Sequence, residues 1–160
     1  MRRSRSLGFT CCALLLAACG GGDAEVADTM LADSTAMPAP AGVTLALADV
    51  AGRWNMRAVP ESGDTTPTMY VLMATADSSG WSITFPDREP VPTRVVAVGG
   101  DSLVLETGPY ESARRAGVQT TTTTTLRMVG DSLVGPSVAR YQTTGADSVL
   151  RLRSSGTRAP

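Results

Sequence analysis

All three cysteines of the chain, Cys11, Cys12 and Cys19, fall within its first nineteen residues. Cys19 follows Leu16-Ala17-Ala18, one apolar residue and two small ones, at the end of a hydrophobic run. A thiolate there is a nucleophile that can accept a lipid, and Ala17 and Ala18 suit a narrow protease cleft. No histidine occurs anywhere. Its absence removes the Ser-His and Cys-His nucleophile systems, the usual zinc sites and the common general base near neutral pH. Paired carboxylates ~5–9 Å apart could still do glycosidase chemistry. Yet Asp77, Asp87, Asp101, Asp131 and Asp147 sit in turn-forming stretches, and no acid lies in a plainly apolar run that would raise its pKa. The abundant serines have no evident base. The expectation is a chain with no catalytic residue, no metal and no cofactor; a small acid-based hydrolase is the alternative.

Charge narrows the partners. Every one of the 14 basic residues is arginine, set against 15 acids. Arg2, Arg3 and Arg5 precede Cys19, while Asp23, Glu25, Asp28 and Asp33 follow it, so residues 43–160 carry eleven of each sign. A neutral domain behind an acidic stretch is no footprint for nucleic acid, which needs a basic patch.

The first 18 residues read as a signal peptide. Met1-Arg-Arg-Ser-Arg supplies a positive start, and Leu7 to Ala18 a mostly apolar run. That run is far short of the ~20 residues of a spanning helix. Leu16-Ala17-Ala18-Cys19 resembles the bacterial lipobox. The resemblance implies a diacylglycerol on the Cys19 sulfur, cleavage after Ala18 by a lipoprotein signal peptidase, and acylation of the new amine. Several acyl chains give lasting attachment where one would be marginal. Gly20 stands where a retention aspartate could be, which by analogy favours the outer membrane, on either its periplasmic or its surface side. Residues 19–42 then form the lipidated N-terminus and a tether rich in Gly, Ala, acids and Pro, with no aromatic residue. Such a composition cannot bury enough apolar surface to order itself.

From Val43 onward the punctuation predicts an all-β domain, an antiparallel meander of about eight strands over 43–160. Strand-like runs lie at about 52–59, 68–76, 80–85, 93–99, 102–107, 117–129, 132–142 and 148–154. Short Gly/Asp/Ser clusters separate them, among them the echo Gly100-Asp-Ser-Leu-Val and Gly130-Asp-Ser-Leu-Val, which suits hairpin turns. Thr120 to Thr125 are β-branched and disfavour helix. Alternation turns Trp81, Ile83 and Phe85 one way, and Leu126 and Met128 inward together with three threonines. Met69 to Ala74 is apolar on both faces, so a cover is expected, with Leu45–Ala51 as a short helical turn in that role.

Ala48-Asp-Val-Ala-Gly52-Arg-Trp54 resembles the Gly-x-Trp opening of lipocalin-like proteins. The resemblance implies a small closed barrel whose tryptophan closes the floor against an arginine of the last strand, here Arg151 or Arg153. A two-sheet β-sandwich is the alternative architecture. A barrel of this size is either filled or just wide enough for a small ligand. The functional expectation is a non-catalytic binding module for a small apolar or amphipathic molecule, with Trp54, Tyr70, Trp81, Phe85 and Tyr141 as candidate ligand contacts. A structural or assembly lipoprotein, binding a protein or envelope polymer, is the second reading. The 108–116 loop, with Tyr110, Arg114 and Arg115, is its candidate contact.

Overall fold

The computed structural model describes residues 44–160; the signal segment, Cys19 and the tether lie outside the described residues. Asp49 caps a single helical turn, α1 (Leu47–Val50), by accepting the Ala46 backbone N–H at 3.0 Å. Eight strands follow: β1 (Gly52–Pro60), β2 (Thr68–Ala74), β3 (Ser82–Thr84), β4 (Val91–Gly99), β5 (Ser102–Glu111), β6 (Gln119–Val129), β7 (Ser132–Tyr141) and β8 (Val149–Arg158). Each pairs antiparallel with its successor, and β8 returns to β1 to close a barrel. Closure removes exposed sheet edges along the seam and decides against the sandwich.

The two Gly-Asp echoes make the tightest turns. Gly100 and Gly130 each sit at φ 57°, and two-residue loops join β4 to β5 and β6 to β7. Both lie at the end where the described chain enters. The connections 61–67, 85–90, 112–118 and 142–148 gather at the opposite end, where they form a mouth. Asp64 and Asp77 accept hydrogen bonds from the backbone N–H groups of Thr66 and Ser79, as turn aspartates do.

The entry end is solid. Val50, Trp54, Met56, Leu103 and Leu133 are wholly buried, with Trp81 and Leu72 beside them. The Trp54 indole N–H donates to the Val50 carbonyl at 2.7 Å. The arginine against Trp54 is Arg158, 4.4 Å from the ring centroid, rather than Arg151 or Arg153. Its guanidinium also donates to the carbonyls of Asp49, at 2.8 Å, and of Ala51. The reason is register: β8 runs four residues beyond the expected end, and Arg158 is the residue paired with Trp54. Arg151 and Arg153 alternate outward and are exposed.

Two further expectations change. Met69 and Met73 are 51% and 42% exposed, so nothing among the described residues covers the outer face of β2. Leu45 and Val50, from the segment expected to do so, are buried at the floor instead. The sequence also ends the fifth strand near Thr107, whereas β5 continues to Glu111. An irregularity between Thr107 and Tyr110 restores the inward phase, so Tyr110 belongs to the barrel wall and not to a surface loop.

Candidate functional site

Strand alternation leaves the upper half of the barrel hollow. Above Leu72, Ile83, Leu105 and Leu126, inward positions carry small or hydroxylated residues: Ala58 on β1, Thr107 on β5, Thr120, Thr122 and Thr124 on β6, Ser137 and Ala139 on β7, Ser154 on β8. These side chains are too short to meet across the barrel axis. The remaining cavity is about 60 Å³, room for a few waters or a slender apolar group rather than a bulky ring system.

The cavity wall mixes aliphatic groups, aromatic rings and hydroxyls. Tyr70 and Phe85 meet at 6.0 Å between centroids, and Phe85 stacks on Tyr110 at 5.5 Å. The Tyr110 hydroxyl shares a hydrogen bond of 2.9 Å with Thr122 Oγ1. Deeper, Thr124 Oγ1 bonds Ser137 Oγ at 2.9 Å, and Ser137 Oγ bonds Ser154 Oγ at 2.6 Å. Ser154 in turn lies beside the Tyr70 hydroxyl. Burial pushes Tyr70 up to about 12, only partly countered by Ser154, so its phenol stays protonated at any physiological pH. Tyr110 is pushed up by the same cause, against its hydrogen bond with Thr122. No carboxylate and no thiol stands among the described residues that line the cavity.

Three arginines lace the mouth. Arg114 Nη1 donates to the Thr66 carbonyl at 2.7 Å and to Thr68 Oγ1 at 3.1 Å. Its Nη2 reaches the Asp64 carbonyl at 3.0 Å and the Asp64 carboxylate at 2.9 Å. Arg115 lies over the Tyr141 ring at 4.1 Å and donates to the Asp147 carbonyl. Arg88 bonds the Glu111 carbonyl at 2.7 Å, with its guanidinium 6.0 Å from the Phe85 ring. These contacts tie the four upper connections to one another across the opening. Asp64 is held below the usual carboxylate range, first by Thr66 and then by Arg114.

Of the five aromatic candidates, Tyr70, Phe85 and Tyr141 line the cavity. Trp54 and Trp81 belong to the filled end, where Trp81 donates its indole N–H to the Asp77 carbonyl at 2.7 Å. Tyr110 and the hydroxyl residues are cavity contacts that sequence reasoning did not assign to a ligand site, although it turned three threonines of β6 inward. For Tyr110 the signal was hidden by the extra residue in β5. For the serines and threonines it was present, because Thr120, Thr122 and Thr124 share the phase of inward Leu126.

The chain matches no family model, no curated protein and no solved structure.

Proposed function

We propose that the chain is an envelope lipoprotein, held on a membrane by lipid on Cys19, whose barrel binds a small apolar or amphipathic molecule without chemically changing it. The observation that carries the binding part is the hollow upper barrel, apolar in most of its lining and reaching Ser112, Ala113 and Arg114 at the laced mouth. A folded chain of this size has no stability reason to leave inward positions under-filled, because each methylene withheld from a core forgoes burial. The absence of a carboxylate or thiol among the lining residues supports carriage over catalysis. The lipobox-like Leu16-Ala17-Ala18-Cys19 supports the anchor, with the outer membrane favoured by Gly20.

Native mass spectrometry of the protein purified from its own envelope tests the binding part. A retained small-molecule adduct, lost when the cavity is filled by Ala139→Leu, is the expected result; identical spectra for both proteins would overturn it.

A second reading has one observation in its favour. Met69 and Met73 form an uncovered apolar row on β2, beside a shallow outer groove lined by Asn55, Val71, Thr84 and Pro86. Such a row suits an assembly partner. In-cell cross-linking from position 69 separates the readings: a reproducible protein adduct favours assembly.

A further inference from the structure

The hydroxyls of the cavity carry more protons than their hydrogen bonds use. Tyr110 and Thr122 are two hydroxyls joined by one bond, so one proton of the pair is left over. Thr124, Ser137 and Ser154 are three hydroxyls joined by two bonds, again one proton in excess. Adding Tyr70 beside Ser154 adds one proton and one contact, which leaves the excess unchanged. By contrast, Thr120 donates to the Arg140 carbonyl, and the Thr93–Thr107 pair ends on the Val91 carbonyl.

The position of the spare protons follows from donor strength. A phenol is more acidic than an alcohol and is the better donor. Tyr110 then donates to Thr122, and with the Tyr70 phenol beside Ser154 the same preference points the deeper bonds from Ser154 through Ser137 to Thr124. Within these two chains the spare protons end on Thr122 and Thr124. These residues are two apart on the same inward face of β6, about 7 Å from each other. No Asp, Glu, Asn or Gln stands among the described lining residues to accept them. The cavity thus keeps idle donors, and its remaining acceptors are lone pairs of the same hydroxyls.

Charge decides which acceptor fits. Arg114 is the one cation among the described lining residues, and four hydrogen bonds, one to the Asp64 carboxylate, already engage it at the mouth. A carboxylate drawn down to Thr122 would lose its water and meet no free counter-charge. A neutral carbonyl oxygen gives up little hydration and satisfies a donor that is otherwise idle.

We infer that the occupant is a slender, uncharged carbonyl compound, a ketone, ester or lactone, whose oxygen accepts from Thr122 or Thr124 while its apolar part lies against Leu72, Ile83, Leu105 and Phe85. This rests on the reading of the cavity as a ligand site.

The test uses the chain from residue 19 onward with Cys19→Ala, so that no lipid or detergent competes. Hexane, 2-hexanone and hexanoate are titrated at pH 7, followed by NMR of the Leu72, Ile83, Leu105, Leu126 and Leu152 methyls. The ketone is expected to bind about tenfold tighter than either of the others, as one added hydrogen bond to an idle donor gives. Hexanoate should approach the ketone only when acidified to its neutral form. In Tyr110→Phe/Thr122→Val the ketone's advantage over hexane should fall at least threefold while hexane binding holds. Equal binding of hexane and ketone, or tighter binding of hexanoate at pH 7, overturns the carbonyl assignment and leaves the ligand site standing. Methyls unmoved by all three probes would remove the ligand site and this inference together. The wild-type panel decides even where the double variant does not fold.

Discussion

Burial sets the chemistry of Tyr70 and gives it a measurable consequence. Its hydroxyl titrates near 12 in the folded barrel, against an ordinary value of 10. The folded state thus prefers the protonated phenol. The stability this contributes is complete below pH 10 and is lost as pH rises from about 10 to 12, on the order of 2–3 kcal/mol for a shift of this size. Denaturant unfolding across pH 8–12 should show that decline, and Tyr70→Phe should reduce it, leaving the part that Tyr110 contributes. Arg158 offers a second test. Removing its ring contact with Trp54 and its bonds to two carbonyls should cost about 1–2 kcal/mol in Arg158→Ala, read by urea unfolding. Arg151→Ala and Arg153→Ala, both outward and exposed, should each stay within about 0.5 kcal/mol of the parent. An equal loss in all three would mean that the Trp54 contact is not what closes the seam.

Strands and turns are where the sequence was most legible, and their ends where it was least. Eight strands in antiparallel order follow from period-two patterning and from Gly-Asp pairs, both local signals that a side chain's own neighbours supply. Trp81, Ile83 and Phe85 share the inward phase that alternation gives them, and all three are buried. What local pattern could not carry was pairing: β8 reaches Arg158 because β1 is there to pair with it, and an apolar outer face on β2 looks the same whether or not something covers it. The cavity was legible only by halves. Its aromatic residues are conspicuous in sequence, but hollowness arises from how far short inward side chains on five strands fall from one another. One element-scale dependence is open to direct test. A Cβ on Gly156 would come within 2.2 Å of the Met56 sulfur and 2.6 Å of the Asn55 carbonyl, so β8 can lie against β1 only with glycine there. Gly156→Ala should destabilise by about 3 kcal/mol. Gly99→Ala, in open space at ordinary backbone angles, should change little in the same thermal melt.

At the scale of the whole molecule, the proposed attachment and the folding depend on different residues. All cysteines precede residue 20, so no disulfide can form within 44–160, and the barrel holds by burial, pairing and closure alone. No helix among the described residues is long and apolar enough to cross a membrane. Under the proposed anchoring, membrane residence rests on the acyl groups carried by Cys19. Two measurements should therefore come apart. Cys19→Ala should abolish incorporation of labelled palmitate and move the protein from the membrane to the soluble fraction. The melting temperature of the same variant should match the lipidated protein's within about 2 °C, with or without a thiol reductant, since a shift that small corresponds to well under 1 kcal/mol in a domain of this size. Undiminished palmitate labelling would end the anchoring proposal outright. A fall in melting temperature on losing the lipid would show that the acyl chains, or the membrane they bring near, contribute to the fold, and the independence of tether and barrel would have to be given up.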